Sequence, residues 1–420
     1  MKVQLMQLNQ FLSRANLFLN LIQRIAILLL SLLAFTYAQF QSTIDISSWY
    51  DNNLYRSPEK VDDIVTDFDL QLDYQPEKSN VNFYFNGNYL LYNENNTRSF
   101  YMNALGFNYT KAMDDDELHT FYMGIDWTFR VNNEEYNYYD FNQVYAYSNL
   151  SFNLDWFFLR SGLNYRYRNY ANIPDLNNNQ FYGFVQINKP FETKTTFIIE
   201  ANLGYKAFAG ENFTSYTTSG DGSGQGHGRM STTSTYTTAA TTANEIPSLS
   251  QAVLLARVAQ SLHTKIGVYA QYRKQISLTD ETSYVNSDDY YQDEELFDDP
   301  FSYESDTYSS QFTWMLPWQM KLQIGGAITS KNYVSEAAYE SIEDTTGSSI
   351  RVDDQNSYYV NFTKTFYLKK NWIHMLQFNL NYNYIRNESN SYWYDYENAV
   401  ISSSIQWLSL IHISEPTRPY

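Results

Sequence analysis

Charged residues recur at every second position in several stretches of the chain, a spacing that places them on one face of an extended strand. Arg160, Arg166 and Arg168 share such a face with Gly162 and Asn164. The other charged residues on predicted inward faces are Arg130, Arg257, Arg273, Asp67, Asp69, Asp73, Asp126 and Glu200. If the strands enclose water, opposed arginines and carboxylates create a transverse field that selects polar solutes and ions. The alternative is that these charges only pair with one another and stiffen a hydrated wall.

Strands are the elements that must position these residues. Apolar residues alternate with polar ones over stretches of about 10–15 residues, which is the period of a strand. The predicted strands are 41–50, 64–74, 81–92, 100–110, 119–131, 141–152, 156–170, 180–189, 195–208, 249–261, 265–276, 304–316, 319–333, 351–367, 373–388 and 396–407. Short turns alternate with longer polar connections, so we expect the long connections to gather at one end of the fold.

Composition excludes several other classes of protein. The 420 residues include no cysteine, so disulfide scaffolds and thiolate metal sites are excluded. A net charge of −18 argues against a nucleic-acid partner. The mean hydropathy of −0.49 excludes a bundle of membrane helices, while an aromatic content of 18% argues against disorder.

The strand pattern resembles the bacterial outer-membrane β-barrel superfamily over residues 41–407, without matching a specific family. The sequence is similar to single-chain, porin-type barrels. This resemblance implies an all-β, transmembrane, antiparallel up-and-down barrel of about 16 strands in the outer membrane of a Gram-negative bacterium. Short turns are then periplasmic and long loops extracellular. Fourteen or eighteen strands remain alternatives.

Tryptophan placement agrees with this interpretation. The tryptophans at predicted periplasmic strand ends are Trp156, Trp314, Trp318, Trp372 and Trp407. Tryptophan favours the membrane–water interface, so these residues predict an aromatic girdle. The alternative is coincidence in an aromatic-rich soluble β protein.

The two ends of the chain differ from the predicted barrel. Residues 1–38 have the basic flank, short apolar run and small-residue site of a secretory signal peptide, so we expect a mature barrel from residue 39 to 407. Residues 408–418 resemble a translated transposase sequencing adapter. We therefore interpret 408–420 as a non-native tail.

The predicted function is an outer-membrane channel for passive diffusion of small polar solutes or ions. The alternatives are a surface barrel that binds a partner or glycan through its loops, or the barrel subunit of an export system. Expected partners are outer-membrane lipid, lipopolysaccharide and small polar solutes or ions, with a homo-oligomer possible. The few residues between Gln39 and the first strand argue against a plugged, energised transporter.

No catalytic constellation is evident from the sequence. The predicted positions of His119, His227, His263 and His374 show no suitable nucleophile or carboxylate partners, so neither an enzyme nor a cofactor is predicted. Segment 209–248 is rich in Gly, Ser and Thr, and it is interpreted as a flexible surface loop or, alternatively, a loop that constricts the pore. Segment 277–303 is acidic, which favours cations at the mouth, but its spacing does not predict a metal site.

Overall fold

The computed structural model describes residues 39–116, 118–208, 212–213, 243–244, 248–279, 299–344, 347, 349–370 and 373–411. Sixteen strands form a closed barrel. They are β1 Gln39–Asp51, β2 Asp63–Gln75, β3 Val81–Tyr92, β4 Phe100–Ala112, β5 His119–Asn132, β6 Phe141–Leu154, β7 Phe157–Tyr170, β8 Asn178–Pro190, β9 Thr195–Phe208, β10 Leu249–His263, β11 Ile266–Ser277, β12 Tyr303–Leu316, β13 Met320–Ala338, β14 Ser349–Lys370, β15 Ile373–Ser389 and β16 Tyr396–Ile411.

Every strand pairs antiparallel with its neighbours in the sequence, and β1 closes the ring by pairing with β16 from Phe40↔Ile411 to Asp51↔Val400. Closure leaves no edge strand in the wall. Asn212–Phe213 and Ala243–Asn244 pair as a separate two-stranded sheet that is not part of the barrel. Among the described residues, no helix is long and apolar enough to cross a bilayer. The predicted antiparallel barrel of 16 strands is confirmed.

The strand boundaries depart from the predicted ones in the second half of the chain. β13 extends five residues beyond 333 and β14 begins at Ser349, so these are the two longest strands of the barrel, at 19 and 22 residues. β16 continues four residues past Trp407. The signal peptide and the non-native origin of 408–420 stay predictions, because residues 1–38 and 412–420 lie outside the described residues.

The two faces of the wall differ in polarity. Large apolar side chains cover the outward face and remain exposed there, among them Leu163 at 68%, Leu203 at 63% and Ile199 at 61%. Their sequence neighbours, such as Asn164, Asn202 and Glu200, point to the interior, because successive side chains in a strand alternate. The barrel is therefore apolar outside and polar inside.

The connections divide the barrel into two ends. We call the end where β1 ends and β2 begins the long-loop end, and the end where β2 ends and β3 begins the short-turn end. The buried side chains gather near the long-loop end, where connections with short 3₁₀ turns fold against the inner wall. One cluster contains Val65, Tyr92 and Phe100, and a second contains Phe141 and Tyr170 with Leu176.

Cations stacked on aromatic rings hold this buried layer together. The Arg98 guanidinium lies 4.4 Å from the centre of the Tyr55 ring and 5.8 Å from that of Tyr136. Burial raises the pKa of Tyr136, which lies in the connection between β5 and β6, to about 12. Arg351 is 1% exposed, lies 4.1 Å from the Tyr333 ring centre and forms ion pairs with Glu336 and Asp353. Such stacking is worth most where the cation is desolvated.

Candidate functional site: the barrel lumen

The lumen is the candidate functional site, because the strand register brings the predicted charged residues onto its wall. All eleven of them lie on inward positions: for example, Arg166 pairs with Tyr145 on one side and Gln180 on the other. The inward positions are shared by Asp67, Asp69 and Asp73 on β2, Asp126 and Arg130 on β5, Arg160, Arg166 and Arg168 on β7, Glu200 on β9, Arg257 on β10 and Arg273 on β11. Their role in permeation stays a prediction.

One group of acids and one pair of arginines lie on opposite sides of the ring, although Asp126 and Glu200 lie on the same strand as an arginine or next to one. β2 and β10 are eight positions apart in either direction around the closed ring, so Asp67 and Asp69 lie across the lumen from Arg257. Arg273 follows on the next strand. This placement is the geometry that a transverse field requires.

Two of the three inward acids on β2 share one amide donor. Asn88 on β3 donates from Nδ2 to Asp67 at 2.6 Å and to Asp69 at 2.8 Å, while Asp73 accepts from Asn82 at 3.0 Å. Asp69 is also directly opposite Asp45 on β1. The β1–β3 wall therefore concentrates negative charge that neutral amides only partly balance.

Neighbouring inward side chains hold most of the arginines along the wall. Arg168 donates to Gln143 at 3.0 Å and lies 4.4 Å from the centre of the Phe141 ring. Arg257 donates from Nε to Gln271 at 2.7 Å, and Arg273 donates to Gln275 at 2.9 Å. Arg160 is instead exposed.

Arg130 has a different environment from the other predicted arginines. It is 6% exposed and lies 3.9 Å from the centre of the Phe100 ring and 5.4 Å from that of Tyr139. Tyr139 belongs to the connection between β5 and β6. Arg130 therefore anchors that connection in the buried layer, although its position on the strand faces inward.

A third side of the lumen is polar without charge. The inward residues at mid-depth on three adjacent strands are Gln355, Ser357, Tyr359, Asn361 and Thr363 on β14, Gln377, Asn379, Asn381 and Asn383 on β15, and Ser402, Ser404 and Gln406 on β16. Asn379 donates to Ser404 at 3.0 Å and Asn381 donates to Ser402 at 3.2 Å. This wall presents hydrogen-bond donors and acceptors to the lumen and no charged side chain at mid-depth.

The segment that narrows the long-loop end was not foreseen from the sequence. Phe301, just before β12, is 2% exposed and packs inside the barrel against Tyr182 of β8, with ring centres 5.6 Å apart. The neighbouring Asp299 pairs with Lys206 of β9 at 2.6 Å, and Lys206 is 2% exposed. Residues 299–302 therefore cross the inner faces of several strands.

This segment lies at the end of the acidic connection, whereas the segment considered for a constriction was 209–248. Its burial follows from the contacts of Phe301, and no residue pattern in the sequence signals it. Of 209–248, the structure describes only residues 212–213, 243–244 and 248, so the proposed roles of that loop lie outside the described residues. The acidic residues between 280 and 298 also lie outside them. Within the described ranges, no group of metal-ligating side chains is present.

The predicted tryptophans lie near the short-turn end. Trp156 and Trp318 occupy turns and are 67% and 79% exposed. Trp314 and Trp407 occupy outward positions near the ends of β12 and β16. Trp372 lies outside the described residues, and the girdle itself stays a prediction.

A side-chain carboxylate stabilises one of the turns at the same end of the barrel. Asp114, between β4 and β5, accepts hydrogen bonds from the backbone N–H groups of His119 at 2.8 Å and Leu118 at 3.1 Å. These bonds, the one from His119 most of all, lower the pKa of Asp114 below its ordinary value because they stabilise the carboxylate.

Comparisons with known proteins show similarity to solved barrels at low sequence identity. No protein-family model and no curated protein sequence matches the chain. Pseudomonas aeruginosa OccK8 (OprE) is 10% identical, with 89% of this chain and 98% of that chain covered and a TM-score of 0.46. P. aeruginosa OpdK with vanillate is 10% identical, with coverage of 88% and 98% and a TM-score of 0.47. Outer-membrane expressed OmpT of Vibrio cholerae is 11% identical, with coverage of 88% and 97% and a TM-score of 0.42. At these values the similarity assigns no family, and the function has to be inferred from the geometry.

Proposed function

We propose that this protein is an outer-membrane channel for the passive diffusion of small polar solutes or ions. The observation that carries the proposal is the opposite polarity of the two faces of one closed wall. Exposed apolar residues on the outside suit lipid, while the polar, charged inward face suits water. In this setting the short turns are periplasmic and the long loops extracellular.

The lumen supports permeation better than it supports fixed binding of one large ligand. Away from the long-loop end, inward residues such as Arg160, Asp126 and Asn164 are only partly buried or exposed, as side chains beside a solvent-filled space are. The acidic and basic sides provide a transverse field. Segment 299–302 narrows the route on one side, so the size limit of the channel is set near the extracellular mouth.

Single-channel recording of the refolded protein in a planar bilayer tests the proposal. Steady conductance steps that rise linearly with voltage are the expected result. Folding is checked separately by the change in gel mobility between unboiled and boiled samples. A well-folded barrel that conducts no ions would overturn the channel and favour a surface-binding role for the extracellular loops.

A further inference from the structure

Tyrosine side chains of the lumen lie flat against the barrel wall. Tyr84 on β3 extends over Gly106 on β4, and its hydroxyl donates to Asp126 on β5 at 3.2 Å. A Cβ atom at Gly106 would lie only 2.6 Å from Cζ of Tyr84. The ring therefore spans one strand parallel to the sheet, and only glycine at 106 leaves room for it.

A second tyrosine on the same wall has the same arrangement. Tyr147 on β6 lies over Gly124 on β5, where a Cβ atom would be 2.6 Å from its Cζ atom. Its hydroxyl is 3.0 Å from that of Tyr122. The Tyr147 ring is tilted by 35° to Tyr122 and by 37° to Tyr145, with centres 5.3 Å and 5.5 Å apart. Together these residues form an aromatic surface on β3–β6, which we call the tyrosine platform: Tyr84, Tyr122, Tyr145 and Tyr147.

Polar groups are interspersed with the platform. Asp126 is half-buried between its rings and accepts from Thr128 at 3.0 Å as well as from Tyr84. Arg166 on β7 is directly opposite Tyr145 in the register. A solute that lies on the rings therefore meets a carboxylate acceptor and hydroxyl groups without leaving the wall.

The platform differs from two other tyrosines whose rings also lie over a glycine of the neighbouring strand. Tyr182 lies over Gly204 and accepts from Gln251, but Phe301 packs against it. Tyr359, on the uncharged side of the lumen, lies over Gly325 of β13 and donates to Gln311 of β12. Of these three wall positions, only the platform combines several adjacent rings with a carboxylate that one of its tyrosines contacts.

We propose that the tyrosine platform is a low-affinity site for sugar rings, so that neutral saccharides are among the solutes of the channel. This inference rests on the proposed function. A pyranose ring has an apolar C–H face that stacks on a flat aromatic face, and equatorial hydroxyls that bond to carboxylates and phenol groups at its edge. The rings lie along one wall and do not surround a volume, which suits a flat neutral ring better than a compact organic cation.

The test is block of the ion current by a neutral saccharide. Maltohexaose added to the open channel is expected to reduce the current reversibly, in the millimolar range. Tyr84→Ala and Tyr147→Ala each remove one stacking ring, so each should weaken the block about tenfold. This change corresponds to ~1.4 kcal/mol of binding free energy. Tyr84→Phe keeps the ring and should weaken it less. Tyr101→Ala, on the outward face of β4, should leave it unchanged.

The outcomes separate this inference from the channel itself. Normal conductance with no block by maltohexaose overturns the sugar site and leaves the channel standing. Absence of conductance overturns the channel. Block by tetraethylammonium but not by maltohexaose also overturns the inference, because the ligand class is then cationic. If the alanine variants do not fold, Asp126→Asn provides the second comparison. A block equal to that of the unaltered protein would contradict the proposed sugar site, in which the carboxylate bonds to the sugar hydroxyls.

Discussion

The long-loop end and the middle of the barrel carry the same strand pattern but pack their inward side chains differently. At the long-loop end Arg351 is 1% exposed and Arg130 is 6% exposed, each stacked on aromatic rings. Further from the long-loop end, Arg160 is exposed, and Arg166 and Arg257 are only partly buried. The difference arises because connections fold over the wall at one end only.

This difference shows that an inward position on a strand is not sufficient to place a residue on the solute path. Arg130 and Arg160 are equivalent by alternation, yet only Arg160 lies beside the open lumen. We therefore expect charges at the long-loop end to act first on stability, and charges beside the open lumen to act first on ion selectivity. Each of the following experiments tests this division.

Removal of the buried cation should have the largest effect. Arg351→Met leaves Glu336 and Asp353 buried without their ion-pair partner, so the free energy of unfolding should fall by about 3–5 kcal/mol. Denaturant unfolding of the refolded barrel in detergent measures it. Arg386→Met is the matched control, because that more exposed pair with Asp395 should contribute about 1 kcal/mol or less. Equal losses for both variants would remove the distinction between the two regions.

Removal of the Phe301 ring should widen the route at the long-loop end. Phe301→Ala releases residues 299–302 from Tyr182, so single-channel conductance and the largest permeating polyethylene glycol should both increase. Phe197→Ala, on the outward face of β9, removes the same ring from the lipid side and should change neither. An unaltered size limit in a folded Phe301→Ala channel would place the narrowest point elsewhere.

Charge reversal along the inward face of β7, which runs from the short-turn end to the long-loop end, should change ion selectivity. Glutamate at Arg160, Arg166 and Arg168 together should shift the reversal potential under a salt gradient toward cation preference. Single variants sharpen the test: Arg160→Met should alter the reversal potential more than Arg130→Met, which removes the same charge from the buried layer. The opposite ranking would show that the buried layer, and not the open wall, sets the selectivity.

The smallest effect is expected at the short-turn end. The pKa of Asp114 is lowered by folding from its ordinary value of 3.8, so its carboxylate stabilises the folded state above that pH. This contribution is lost as the pH falls through the folded-state pKa. Asp114→Asn should therefore be less stable than the unaltered protein at pH 7 and equal to it in strong acid. Denaturant unfolding of both proteins at the two pH values measures this difference.

The barrel was predictable because the alternation that defines each strand is contained in a short, continuous stretch of sequence. Strict alternation over whole strands, as in Met123 to Val131 or Phe197 to Tyr205, fixes which side chains point inward, and a strand with one apolar face has one stable register. The structure confirms sixteen strands, most of them within a few residues of the predicted ends. The shared end of β13 and β14 was underestimated because their register shifts between Asn332 and Ala337, and an irregular stretch of this kind interrupts the alternation of polarity.

The buried layer was not predictable, because it depends on contacts between distant parts of the chain. Arg351 is buried by Tyr394, a residue of the connection before β16, and Phe301 is buried by Tyr182. The flat tyrosines did have a signal in the sequence: Gly106 and Gly124 are glycines inside strands, which often mark a close approach. That signal required the register before the partner of each glycine was known.

The pairing of β1 with β16 joins parts of the chain that are furthest apart in sequence, and extra bonds reinforce this seam. Asn53 donates to the backbone oxygen of Glu397 at 2.9 Å, Asn398 donates to that of Asn53 at 3.0 Å, and the N–H of Ala399 donates to Asn52 at 2.7 Å. Because closing so long a loop is entropically costly, we expect the seam to form last during folding. Bonds made after the transition state slow unfolding without speeding folding. The seam therefore contributes to kinetic stability. The lifetime of the closed barrel depends on how rarely these few hydrogen bonds at its long-loop end break at the same time.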